Sequence, residues 1–456
     1  MATKTDLLAE ILRELRRAQV EPWKAPPPGR VKVLSFPAAL PLPDGMQLTA
    51  TDELLRAVHD YARLYWENDP AIKPRIKIDE FVTLAKHSFG QVLSAIDLDE
   101  PDEQLGPDVK AAVDQSLHEQ LQQHHRPIDL TVGCHLLDGD DAYPIRVGPV
   151  IFETRRQWQQ RMVAEDKLSS VTARRIAARW RGRPLGKRKP SHDSQREKAI
   201  LDAIDGCPTI CTVETDGLST KYIHEKGLLA ARLAMTAVSM LWIHPSKGLE
   251  WMNLLYDRRL PLRNTVMFGK AGVVGSNSGR SQMPFGRWTD TEFLAELRRF
   301  QWLFDQIGEV LFSYVQPVRE SSRPNIKNAL FLSLWWFHEA CREPSDQIAT
   351  TKFAASMDAL TNGGKANGIV KYLGVRAGYA PEGKLMVDGR TTKETIKRIY
   401  DAGRSRLIHG SSEDFAHDWS ELRQAAEAVG RRCLVLACEW MEQNPSCDDI
   451  KAMSGA

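Results

Sequence analysis

Apolar residues recur at helical spacing over most of this chain, and strict alternation is confined to its middle. Leu7 to Val20 reads as a charged amphipathic helix. Asp52–Glu67 and Ile78–Ile96 read as two more, and Leu54, Leu55, Val58, Tyr61 and Ala62 form one stripe on the first of these. Glu21 to Gly45, by contrast, is Pro-rich (APPP, then FPAALPLP). Proline lacks a backbone donor and holds φ near −65°, so this connector is predicted to lie extended on the surface.

Strand signals gather between Ile128 and Val274. Leu130, Val132, Cys134 and Leu136 alternate with other residues, Asp138-Gly139 supplies a turn, and Ile145 to Phe152 returns. That order predicts a hairpin. Thr209–Val213 and Asn264–Val274 are further strand candidates. Gly227 to Ile243 is the most apolar helix candidate. It contains Arg232 and is too short to cross a bilayer, so a buried helix and no membrane association are expected.

From Thr289 onward the pattern is helical, in five segments. Thr289–Val318 carries Phe293, Leu297, Phe300, Leu303, Phe304, Ile307 and Leu311 at helical spacing, and Asn325–Cys341 is aromatic-rich. Gln347–Leu360 is followed by a Gly-rich loop, TNGGKANG. Thr392–Ile408 opens on a capping-box pattern, Thr391 with Glu394, and stops before Gly410. Asp418–Gln443 completes the set, and no internal repeat is visible. The expected fold class is α+β: a mixed α+β N-terminal region followed by an all-α helical bundle. Three regions follow: 1–125, helical with the Pro-rich connector; 126–288, α+β with a basic loop at 161–197; and 289–456, helical.

Length and composition narrow the function classes. The 456 residues are 42% hydrophobic and 26% charged, which excludes collagen-like, coiled-coil and wholly disordered chains. A formal charge of +2 provides no global polyanion-binding field, so a nucleic-acid surface must come from local clustering. The seven cysteines are scattered, and neither Cys207/Cys211 nor Cys433/Cys438 has metal-ligand spacing. A reduced, cytoplasmic protein with no zinc site is expected, and the N-terminus shows no apolar signal core.

One local cluster is strongly basic. Between Arg161 and Pro190 ten basic residues face only Glu165 and Asp166. Its latter part reads as a mobile loop, and Arg181, Arg183, Lys187, Arg188 and Lys189 are candidates to track a phosphate backbone. A solvated helix face with a flexible loop is the plainer alternative.

The chemistry-bearing segment is KETIKRIYDAGRSRLIHG. Ile396, Ile399, Tyr400 and Leu407 can face a core, which leaves Arg404 and His409 in the last turns. Five α-helical residues turn by about 140° and rise about 7.5 Å, so the two side chains are not stacked but can share a cleft at the helix end. A helix C-terminus favours a cation and so raises a histidine pKa toward neutrality. Imidazole can exchange a proton with a ribose 2′-OH or a leaving 5′-oxygen, and guanidinium offers a planar fork to phosphate oxygens. With no metal cluster, the reaction favoured is attack by the neighbouring 2′-OH on the phosphodiester, which requires RNA and leaves a 2′,3′-cyclic phosphate.

The run Tyr400-Asp401-Ala402-Gly403-Arg404-Ser405-Arg406-Leu407-Ile408-His409-Gly410 resembles the motif of HEPN ribonucleases, notably the ApeA-like branch, whose signature is R-x(4–6)-H. His409 is the only histidine with an arginine five to seven positions upstream. The resemblance covers Thr289–Gln443, about a third of the chain. It implies a helical bundle that pairs as a homodimer, with higher assembly open. It also implies metal-independent RNA cleavage in antiphage defence or as a toxin, with no cofactor. Residue by residue it implies Arg404 and His409 as the catalytic pair and Ser405 as a supporting polar residue. Asp358, in FAASMDALTNG, stands where the family often has an acidic residue. Tyr400 and Asp401 precede the motif, and Arg406 is a candidate RNA contact or a solvated charge. Gly403 directly before Arg404 departs from the pattern and suggests a bend or close dimer packing. The alternatives are a non-catalytic HEPN-like module that binds RNA or protein, and a nucleotide-responsive regulator that binds its ligand through the N-terminal region. A tRNA anticodon loop is an attractive substrate, with messenger and ribosomal RNA open.

Other motifs read as structural. Gly269-Lys270 is followed by Ala271, so the order required for a phosphate loop is broken. Trp335, Trp336 and Phe337 suit core or dimer packing better than base stacking. His338 reads as structural, and His124-His125 has no ligand constellation around it.

Overall fold

The computed structural model describes residues 3–20, 38–124, 126–137, 140–204, 206–257, 262–269, 272–280, 290–318, 321–385, 389–405 and 418–455. The chain forms two compact units. One holds Met1–Ile128 with Thr215–Glu225 and Gln316–Val318, and the other holds Asp129–Glu214, Lys226–Val315 and Arg319–Ala456. The expected fold class is the observed one, with α+β structure before a helical C-terminal part.

In the first unit four helices pack together: α1 (Lys4–Val20), α2 (Asp52–Asn68), α3 (Ile78–Leu93) and α4 (Asp102–His124). Each turns an i, i+3/i+4 stripe inward. Ile11, Leu12, Leu54, Val58, Phe81 and Phe89 are fully buried, each worth about 1.5–3 kcal/mol of apolar transfer. Tyr61 meets Phe89 edge-on at 5.2 Å, and its hydroxyl donates to Asp114 of α4 at 3.0 Å. α4 was not read from the sequence. Pro107 lies inside it and reads as a terminator, yet Leu105, Val109, Val113, Leu117 and Leu121 form its buried stripe. The Pro-rich connector also departs from expectation. Its residues 21–37 lie outside the described residues, but Ala39–Pro41 (β1) pairs antiparallel with Gln47–Thr49 (β2), and Leu40 is fully buried.

The second unit contains a five-stranded sheet of β3 (Ile128–His135), β4 (Ile145–Val147), β5 (Val150–Thr154), β6 (Thr209–Thr215) and β7 (Asn253–Leu254), in the order β4-β5-β6-β3-β7. The expected hairpin is corrected here. β3 lies between β6 and β7, while β4 pairs with β5 through a turn at Gly148. Asp138-Gly139 falls outside the described residues. β5 is buried at every position, and β6 at all but Glu214, as strands covered on both faces must be. The Asn264–Val274 candidate is two strands, β8 (Leu262–Gly269) and β9 (Gly272–Arg280), paired with each other. The helix begun by Thr220 (α8, Thr220–Ser239) is largely buried, as its composition required.

The part of the basic segment read as a loop is coil from Arg183 to Ser191 and enters a helix at His192. α5 (Arg155–Ala164), α6 (Ser170–Trp180) and α7 (His192–Ile204) run through the whole segment. Arg188, in the coil between α6 and α7, bonds Glu197 at 2.9 Å, Asp193 at 3.0 Å and Thr172 at 3.2 Å.

Thr289–Val318 is two helices, α10 (Asp290–Arg299) and α11 (Gln301–Val315), after the short α9 (Pro245–Trp251). α12 (Pro324–Arg342), α13 (Asp346–Leu360) and the long helix Ser420–Gln443 form the centre of the helical part. Phe337 meets Phe353 at 5.2 Å there, and a Cβ on Gly430 would lie 3.3 Å from Phe337. The Gly-rich loop shortens to a tight turn, because Lys365–Ala377 is a further helix, α14. Trp335 and Trp336 stack at 5.5 Å, half-buried, and His338 bonds Thr236 at 2.8 Å in the interior.

Candidate functional site

The segment that carries the candidate pair starts as expected. Thr391 Oγ1 accepts the Glu394 N–H at 3.2 Å, and the Glu394 carboxylate accepts the Thr391 N–H at 2.9 Å. This closes the capping box of α15 (Thr392–Lys397). Ile396 and Ile399 are fully buried and fix which face turns inward.

The backbone then leaves α geometry. Arg398–Ser405 is a π-helix, with wider turns than the α-helix on which the 140° separation rests. Gly403 falls inside it. A glycine lowers the preference for a regular α-turn by about 1 kcal/mol relative to Ala, which reduces the cost of the change. π segments are uncommon and are frequently found at functional sites.

Within it Arg404 is held from two sides. Its Nη1 donates to the Tyr400 hydroxyl at 2.6 Å, one turn back, and to Asp358 Oδ2 from α13. The guanidinium carbon also sits 5.1 Å from the centroid of the Tyr400 ring. Arg404 thus joins Tyr400 and Asp358 in one cluster, in which the Asp358 charge acts on the Tyr400 hydroxyl. Burial and then the Asp358 charge push the Tyr400 pKa up, against the opposing pull of Arg404.

Asp358 has a second task. Its Oδ1 accepts the Lys365 N–H at 2.9 Å, and its carbonyl accepts the N–H groups of Thr361 at 3.2 Å and Gly363 at 3.0 Å. These bonds close the turn into α14, where Asn362, Gly363 and Lys365 all have positive φ. A non-glycine residue there is strained by roughly 1–3 kcal/mol and needs such fixing. The residue read only as supporting is therefore the hub that joins α13, α14 and the π segment. The start of α14 carries no helix signal in sequence, because Gly-Gly and Asn stand around it.

The other expected site residues divide. His409 and Arg406 lie outside the described residues. Ser405 ends the π segment, and Asp401 stands half-buried within it. Of the basic cluster, Arg181, Arg183, Lys187 and Lys189 are exposed. Arg188 is not an open cation, because Glu197 and Asp193 neutralise it. Arg175 shares the Glu197 carboxylate at 2.8 Å, and Arg161 bonds Glu153 at 2.7 Å and Thr212 at 3.1 Å. Arg175 and Arg188 tie α6 to α7, Arg161 ties α5 to β5 and β6, and the exposed four are left as the candidate polyanion contacts.

Among the described residues no group of three or more His, Cys, Asp or Glu could hold a metal ion, and no helix is long and apolar enough to cross a membrane. All seven cysteines are free thiols. Comparison with family models, with curated proteins and with solved structures gives no significant match.

Proposed function

We propose that this chain is a metal-independent RNA endonuclease of the HEPN type, acting as a cytoplasmic homodimer in antiphage defence or as a toxin. The observation that carries the reading is the anchored Arg404. One guanidinium nitrogen is engaged by Asp358 and Tyr400, in a π-helical segment whose chain continues to His409. Guanidinium is always charged and planar, and a fork held along one edge is oriented before substrate arrives. His409 accepts the proton of a ribose 2′-OH as that oxygen bonds to phosphorus. The bond from phosphorus to the 5′-oxygen breaks, and that oxygen takes up a proton from solvent, to which His409 returns the one it accepted. Arg404 stabilises the charge gathered on the nonbridging oxygens. The products are a 2′,3′-cyclic phosphate and a 5′-hydroxyl. Exposed Arg181, Arg183, Lys187 and Lys189 contribute backbone contacts.

The test is sequencing of RNA ends after brief expression of wild type beside Arg404→Ala and His409→Ala. New cyclic-phosphate ends are expected with wild type alone, and in vitro cleavage is expected to persist in chelator. A well-folded His409→Ala protein that still cleaves RNA overturns the mechanism. The Asp358 pairing also suits a second reading, a non-catalytic module that binds RNA or protein, because it already satisfies part of the Arg404 charge. Binding of RNA by purified wild type with no new ends would favour that reading.

A further inference from the structure

A cavity of about 300 Å³ opens between α11 and α12 in the second unit. One wall is aromatic. Tyr314 and Phe331 lie with ring centroids 4.4 Å apart and planes tilted by 35°. Ser313, Ser321, Lys327 and Asn328 supply the polar lining.

Lys327 is the residue that calls for a ligand. Its side chain is 7% exposed, and its described carboxylate partner is Glu309 at 3.4 Å, itself 54% exposed. A buried ammonium loses much of its hydration, and one long contact to a solvated carboxylate returns little of it. A second cation adjoins the same wall, since Lys226 Nζ sits 5.2 Å from the Tyr314 ring centroid. Burial pulls the Lys226 pKa down to about 8, so an anion nearby would favour its charged form. The buried Lys327 ammonium, with one long contact to an exposed carboxylate, makes the cavity attractive to an anion.

The remaining groups indicate which anion. Ser313 Oγ donates to the Glu309 carbonyl at 3.1 Å, which leaves the Ser321 hydroxyl, 3.5 Å from it, and the exposed Asn328 amide to bind phosphate oxygens. A flat aromatic wall beside them suits a nucleobase, whose π face stacks on Tyr or Phe whatever the base. The volume stands at the small end for small-molecule sites, which limits the occupant to one base, one sugar and one phosphate. We propose that this cavity binds a mononucleotide, with its phosphate on Lys327, Ser321 and Asn328 and its base on the Tyr314–Phe331 wall. The site uses neither Arg404 nor His409 and stands whether or not the chain cleaves RNA.

Titration calorimetry on the full chain tests this with AMP, GMP, CMP and UMP. Adenosine, ribose 5-phosphate and inorganic phosphate serve as controls. At least one nucleotide is expected to bind one-to-one, tenfold or more tighter than any control. Lys327→Met keeps the apolar stem and is expected to weaken binding at least tenfold, and Phe331→Leu several-fold. Lys327 is buried, so half-buried Ser321→Ala repeats the phosphate-side test with a several-fold loss, and circular dichroism verifies the fold of each variant. The proposal is overturned if no nucleotide binds at millimolar concentration, if inorganic phosphate binds as tightly, or if folded variants bind like wild type.

Discussion

Asp358 bonds Arg404 through one carboxylate oxygen and the Lys365 N–H through the other, so a single buried side chain fixes both the candidate guanidinium and the start of α14. Asp358→Asn keeps the shape but removes the charge. It is expected to lower stability by roughly 1–3 kcal/mol in urea unfolding, because Arg404 loses its partner. The Asp358 charge helps hold the Tyr400 pKa above its ordinary value of 10.0. The Tyr400 ring should therefore titrate at lower pH in the variant, followed by NMR. An unchanged Tyr400 titration would mean that the Asp358–Arg404–Tyr400 cluster does not form in solution.

Gly148 and Gly308 allow the β4–β5 turn to touch α11. A Cβ on Gly308 would lie 2.6 Å from the Gly148 nitrogen, and one on Gly148, where φ is +57°, would lie 2.4 Å from the Gly308 Cα. Both obstacles are backbone, so neither can swing aside. Gly308→Ala is expected to cost about 1–3 kcal/mol by thermal unfolding. Gly148→Ala should cost more, because it adds left-handed strain. Wild-type melting temperatures for both would refute this contact.

Glu427 is buried in the helix Ser420–Gln443. It accepts the Ser246 N–H at 2.7 Å and the Ser246 hydroxyl at 2.9 Å. Removing the carboxylate strands two donors inside the protein. Glu427→Ala is expected to destabilise by roughly 2–5 kcal/mol, and Glu427→Gln, which retains an acceptor, by clearly less. Equal losses in chemical denaturation would show that shape, not hydrogen bonding, sets the cost.

Glu197 responds to pH with a definite sign. Burial alone would raise its pKa, but the bonds from Arg175 and Arg188 outweigh burial and hold it below its ordinary 4.5. A depressed carboxylate pKa contributes stability that is complete above the unfolded value and is lost as pH falls through the folded value. Glu197→Gln should therefore flatten the decline in stability below about pH 4.5, as measured by urea midpoints at successive pH values. A decline as steep as in wild type would assign acid lability to other groups.

Much of this was legible in one dimension. The stripes of α1, α2, α12, α13 and Ser420–Gln443 are local patterns that meet their own turn-to-turn spacing, so helix and inward face follow directly. The Thr391–Glu394 box is equally local. Strand pairing was not legible, because the alternation of β3 is the same whether its neighbour is β4 or β6 and β7.

Only the folded chain decides which charges remain available. Arg188 and Arg181 look alike in sequence, yet one is neutralised by Glu197 from α7 and the other stays in water. Likewise Asp358 and Arg404 are 46 positions apart, and nothing along the chain specifies that they bond. Periodicity is a property of neighbours and survives in a list of residues. Ion pairs and π-helical hydrogen bonds depend on distances of a few ångströms between distant or shifted groups, and those exist only once packing has set them.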